Sequence, residues 1–187
     1  SIRDKIEKVA IPMPGRMMHP VTGDTIFQPY GKESQAIYSV SRGGLNLELL
    51  NIAASFPNVQ FFFDHRCLDV DLEQPFITFE DMKTKTVKRV DAPLIFAADG
   101  AFSAVRHTLQ RTDRFNYNQF YLEHGYKELT IPPLPDGSHR MPQNALHIWP
   151  RGNFMLIALP NADGSFTCTL FLPFEGDVSF ANIRSDA

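Results

Sequence analysis

The stretch Leu94-Ile95-Phe96-Ala97-Ala98-Asp99-Gly100-Ala101-Phe102-Ser103-Ala104-Val105-Arg106 limits the fold of this 187-residue chain more than any other. Leu94 to Ala98 is an apolar run too short for a helix and without polar alternation, which predicts a strand covered on both faces. Asp99-Gly100 turns the chain, and Ser103 can cap a following helix whose first backbone N–H groups are free to meet an anion. Strand, tight turn and helix start together have the geometry of a cofactor-phosphate site. The same residues also serve an ordinary βα turn with no ligand, because Asp-Gly and Ser occur in turns and caps generally.

The segment Asp99 to Arg106 resembles the Asp-Gly motif of the single-component FAD aromatic hydroxylases, of the para-hydroxybenzoate hydroxylase type. Further blocks narrow the match: Pro12-Met13-Pro14-Gly15-Arg16-Met17-Met18-His19, Gln28-Pro29-Tyr30-Gly31, Ser39-Val40-Ser41-Arg42, His124 to Pro133, Leu146 to Arg151 and Ser165 to Phe171. In order and spacing they resemble the branch of that family that hydroxylates L-kynurenine, and the resemblance runs from Ile11 to Glu175. It implies an α/β protein with an antiparallel β substrate-domain sheet, a partial FAD-dependent aromatic hydroxylase fold. Members of the family open with a G-x-G-x-x-G βαβ unit that holds the ADP half of FAD, and carry a later Gly-Asp segment. Neither is found here, so the chain is expected to be an internal piece lacking the N-terminal dinucleotide unit and the C-terminal part, and inactive by itself.

Composition permits a real core: 43% of residues are hydrophobic and sixteen are Phe. A formal net charge of −3 without a basic run gives no reason to expect nucleic acid or a membrane surface as partner. No apolar stretch approaches the roughly 20 residues of a membrane span, and the start lacks a signal-peptide layout, so a cytoplasmic protein is expected. Cys67 and Cys168 stand far apart without metal-ligand spacing and are expected as buried thiols, and the six scattered His give no metal site.

In chain order, residues 1–10 read as the end of a helix. Residues 16–20 and 25–28 form a hairpin and 36–40 a short strand. A helix capped by Ser41 runs to Phe56, apolar over more than one face and therefore expected to be covered. Val59 to Phe63 reads as a parallel strand, and residues 67–90 as an antiparallel meander. Strands at 120–131, 145–149, 154–159 and 165–173 form a sheet joined by the 16–30 hairpin. On this division 11–40 and 115–174 carry the substrate sheet, 41–114 carries part of the FAD-binding domain, and 175–187 is a tail.

The resemblance implies the chemistry as well. NADPH reduces FAD, reduced flavin reacts with O2, and the hydroperoxide so formed passes one oxygen atom to the aromatic ring, giving 3-hydroxykynurenine from L-kynurenine. No catalytic side chain and no metal is needed. Arg16 and Tyr30 match the family's substrate-binding Arg and Tyr, the guanidinium meeting the substrate carboxylate; otherwise they are a strand charge and a turn aromatic. Leu146, Met155 and Phe171 match pocket-lining residues, although core packing explains them nearly as well. Arg42, Cys67, Asp99, Gly100 and Ala104 match FAD-binding positions, and Arg106 is either cofactor-linked or a last-turn helix cation. A related hydroxylase with another substrate, or a non-catalytic binding module, are the alternative readings. Oligomeric state is not legible.

Overall fold

Turn and cap residues cut the chain into short elements. The structure, a computed structural model, describes residues 1–32 and 35–183. They comprise, in order, α1 (Ile2–Glu7), β1 (Ile11–Met13), β2 (Gly15–Met18), β3 (Ile26–Pro29), β4 (Ile37–Ser39), α2 (Arg42–Ala54), β5 (His65–Val70), β6 (Phe76–Asp81), β7 (Val87–Asp91), α3 (Ala104–Leu109), β8 (His124–Ile131), β9 (Leu146–Arg151), β10 (Phe154–Pro160) and β11 (Phe166–Pro173). They form two compact units, Ser1–Phe56 with Tyr121–Ala187, and Pro57–Phe120.

The first unit is built on a six-stranded sheet of order β3-β2-β9-β10-β11-β8. Its connections are antiparallel except for one parallel seam, where Arg16, Met17 and Met18 of β2 lie opposite Leu146, His147 and Ile148 of β9. The hairpin expected at 16–30 therefore does join the later strands, though its connection spans residues 19–25 and is longer than a tight turn. Successive residues of a strand point to opposite faces, so the registers sort the sheet into two. One face carries Ala158, Phe166 and Cys168, all buried, with Ile131, Met141, Trp149 and Leu156 packed against them. His147 is fully buried on the same face; its Nε2 donates to the Pro142 carbonyl at 2.8 Å and its Nδ1 meets Nε2 of His19 at 2.9 Å. His19 stacks in turn on Trp149. Beyond β11 the chain turns back: the Phe180 amide donates to the Pro173 carbonyl and Ser179 is buried. The last four residues of the expected tail lie outside the described residues.

Ser41 caps α2 as expected, its Oγ accepting from the Gly44 amide at 3.0 Å. The expected cover is not there. Ile52 is the buried residue of this helix, and Leu47 is 60% exposed.

The second unit holds the meander β5-β6-β7 and the helix α3. The two parallel strands expected here are corrected by the structure. Residues 59–63 and 94–98 form no strand, Phe63 lying in a turn, and Leu94 is 67% and Phe96 87% exposed. A strand needs a neighbouring backbone to take its N–H and C=O groups, and the three strands of this unit pair with each other. Cys67, on β5, is half-buried rather than buried; Cys168 is buried as expected, and both are free thiols.

Candidate functional site

Four of the five substrate candidates share one side of the six-stranded sheet. Arg16 pairs with Leu146 across the parallel seam and with Gln28 across the hairpin. Two and four residues after Leu146 on the same face come Ile148 and Pro150; Pro150 lies opposite Met155, and Met155 opposite Phe171. Parity therefore puts Arg16, Leu146, Met155 and Phe171 together on the face opposite the buried cluster. Core packing against Phe166 is thereby ruled out as the reason for Leu146, Met155 and Phe171.

Within that face there are two groups. At one end, Arg16 Nε donates to Gln28 Oε1 at 2.8 Å. Tyr30 follows directly on β3, fixed by its amide to the Pro14 carbonyl at 2.9 Å. Partial burial pushes the Tyr30 hydroxyl's pKa up while the charge of Arg16 opposes the rise, so the two side chains are within electrostatic reach. At the other end, four residues or about 13 Å along the strand direction, sit Met155 and Phe171. The Tyr126 ring lies 6.4 Å from that of Phe171. The face thus offers a cation and a hydroxyl at one end and an apolar, aromatic surface at the other.

Arg42, the first residue of α2, lines a cleft of ≈ 570 Å³ with Gly43, Glu128, Leu159, Thr167 and Thr169. The last four project from the same face as Met155 and Phe171, by the registers of β10, β11 and β8. The cofactor candidate Arg42 and the substrate candidates are thus on one side of one sheet.

The other five cofactor candidates are in the second unit. Cys67, Ala104 and Arg106 line a cleft of ≈ 600 Å³ together with Arg66, and Asp99-Gly100 forms the turn before it. Gly100 has φ +76°, a left-handed conformation that glycine takes without cost. The Arg106 guanidinium donates to the carbonyls of Gly100, at 3.2 Å, and of Ala101. It also lies over the Tyr117 ring at 5.7 Å. The hydrogen bond from the Ser103 hydroxyl, above all, holds the Asp99 carboxyl below the usual carboxylate range. Burial, with Asp99 and Asp69 nearby, pushes the Cys67 thiol up and leaves it a poor nucleophile.

One expectation about this turn fails. The first amides of α3 are not open to an anion: Val105 N–H goes to Asp99 Oδ2 at 3.3 Å and Arg106 N–H to Ser103 Oγ at 2.9 Å. The wall of the cleft instead carries two arginines, Arg66 and Arg106, beside the small Ala104. Sequence reading missed Arg66, Gln28, Tyr126 and Glu128. Gln28, Tyr126 and Glu128 could have been reached through strand register, as the cross-strand partners of Arg16, Phe171 and Thr169, whereas Arg66 is marked only by its place beside Cys67 in the chain.

No family model matches the chain. Individual relatives do. The chain is 48% identical over 185 residues to a kynurenine 3-monooxygenase of Christiangramia forsetii, covering 99% of this chain and 41% of that protein. It is 49% identical over 181 residues to a kynurenine 3-monooxygenase of Myxococcus xanthus, covering 96% of this chain and 39% of that one. Among solved structures, a salicylate hydroxylase in complex with its substrate superposes with a TM-score of 0.60 at 13% identity, covering 100% of this chain and 49% of that one. That likeness concerns fold, and it agrees with the expected partial aromatic-hydroxylase fold. Across nearly all of its own length, and about two fifths of theirs, the chain is a homologue of the kynurenine 3-monooxygenases.

Proposed function

We propose that this chain is the substrate-sheet and Asp-Gly part of an FAD- and NADPH-dependent monooxygenase that converts L-kynurenine to 3-hydroxykynurenine. The observation that carries the reading is the common face of Arg16, Leu146, Met155 and Phe171, in a chain 48% identical over 185 residues to a kynurenine 3-monooxygenase. Bound FAD, reduced by NADPH, would supply the activation of O2 and the transfer of one oxygen atom to the ring. Arg66 and Arg106 would meet its phosphates. Arg16 binds the α-carboxylate, Tyr30 fixes its angle, and Met155 with Phe171 holds the ring in an apolar setting from which water is excluded. Residues 41–114 in this reading serve the cofactor, and residues 11–40 with 115–174 serve the substrate. Molecular oxygen as co-substrate and a cytoplasmic location belong to the same reading; no helix among the described residues is long and apolar enough to cross a membrane.

The test is NADPH consumption by the flavin-loaded gene product that carries this chain, with and without L-kynurenine, the product being weighed by mass spectrometry. Stimulation with a product one oxygen atom heavier is expected. Arg16→Lys keeps the charge but loses the planar fork, so the KM for L-kynurenine should rise about tenfold or more at unchanged flavin content. Bound flavin without stimulation would leave a hydroxylase of another substrate. Absence of flavin would leave a binding module.

A further inference from the structure

We infer that Gln28 is a positioning residue for the substrate carboxylate, acting through Arg16; the inference rests on the function proposed above. Arg16 and Gln28 are direct cross-strand partners of β2 and β3, so their side chains leave the sheet on the same face. The bond from Arg16 Nε to Gln28 Oε1, at 2.8 Å, settles two orientations together. A guanidinium only donates, so the side-chain oxygen of Gln28 must be the atom turned toward Arg16. A guanidinium can grip a carboxylate either by its Nε edge or by its two terminal nitrogens. With Nε already committed to Gln28, the terminal pair is left for the substrate, and a carboxylate approaching there meets two parallel donors. An unbraced arginine on a surface strand samples many rotamers, and binding has to select one; the neutral amide removes that cost without cancelling the charge that attracts the ligand. A carboxylate at position 28 would brace Arg16 equally well and neutralise it, which accounts for the value of an amide there.

The experiment compares L-kynurenine with its decarboxylated amine analogue on the flavin-loaded gene product. Gln28→Leu removes the acceptor at similar volume. It should raise the KM for L-kynurenine about three- to tenfold, leave kcat and flavin content unchanged, and leave the KM of the decarboxylated analogue unchanged. Gln28→Glu should raise the L-kynurenine KM further, because the new carboxylate competes for Arg16. In an Arg16→Lys background, Gln28→Leu should add nothing. An unchanged L-kynurenine KM in Gln28→Leu, or an equal rise for both compounds, overturns the positioning role. If Arg16→Lys itself leaves the L-kynurenine KM unchanged, the clamp of the proposed function is what has failed, and Gln28 falls with it.

Discussion

The two units of this chain use apolar residues in opposite ways. In the first, Phe166, Ala158 and Cys168 come from β10 and β11, and each is at most 2% exposed. In the second, segments 59–63 and 94–98 leave Phe62, Phe63, Leu94 and Phe96 mostly exposed. Hydrophobicity sets what a segment gains by being covered, whereas burial also needs a partner that satisfies its backbone. In the first unit β9, β10 and β11 find that partner locally, since short connections join them and β9 pairs with β10 and β10 with β11; β8 then pairs with β11 from farther back in the chain. Segments 59–63 and 94–98 have no such neighbour within their unit.

The comparison breaks most sharply at single phenylalanines. Phe166→Ala should cost about 3–5 kcal/mol, the usual penalty for emptying an aromatic site in a packed interior. Phe96→Ala should change the stability of this chain by less than about 0.5 kcal/mol, as exposed substitutions do. The two free cysteines separate the units in one denaturant titration, because labelling of Cys168 reports the first and labelling of Cys67 the second. A large effect of Phe96→Ala on Cys67 labelling would show that segment 94–98 is covered after all.

Acid should produce a smaller and reversible difference. Burial pushes the pKa of His147 down, and burial together with His147 and Arg151 does the same to His19. Both rings are therefore harder to protonate folded than unfolded. Their contribution is complete above the ordinary histidine value of about 6.5 and is lost as pH falls below it. In the second unit, Asp69, Asp81 and Asp99 are held below the usual range, chiefly by hydrogen bonds from Thr108, from the Thr84 amide and from Ser103. Their contribution survives until the pH falls below about 4. Between about pH 7.5 and 5.5 the denaturation midpoint read at Cys168 should fall while that at Cys67 holds; equal shifts would remove the histidine pair as the cause.

The smallest effect belongs to the turn. Ser103→Ala removes the cap on the Arg106 amide and the hydroxyl bonded to Asp99, and should cost about 1 kcal/mol, seen as earlier labelling of Cys67. NMR titration of the Asp99 carboxyl in the same variant should show its pKa rising toward the ordinary value.

How much of this was legible in the sequence follows from the range of the interactions. Ser41 and Ser103 as caps, Gly100 as a turn and the strands around residues 146–173 depend on neighbours a few positions away, and local chemistry reads them well. The joining of the 16–30 hairpin to the later strands, expected from the strand and turn pattern, is also what the structure has. The stacking of His19 on His147 and Trp149 left no local trace, because the two histidines are 128 residues apart. Segment 94–98 was misread because composition reports an appetite for burial and is silent about the supply of backbone partners. At the site, face parity could be worked out once register was known, which is why Arg16, Leu146, Met155 and Phe171 assemble and why Gln28 came to light only with the hairpin in view.

The parallel seam between β2 and β9 carries a consequence for the order of events in folding. Strands β9 to β11 can zip together from contacts close in sequence, but β2 meets β9 only by closing a loop that contains the whole second unit. Closing a loop of that length is entropically expensive and slow compared with forming a hairpin. The aromatic surface of Met155 and Phe171 should therefore mature early, and the Arg16 end late. A ligand that touches both ends would act as a clasp, tightening the last joint of the sheet to form, and would favour the completed state by mass action.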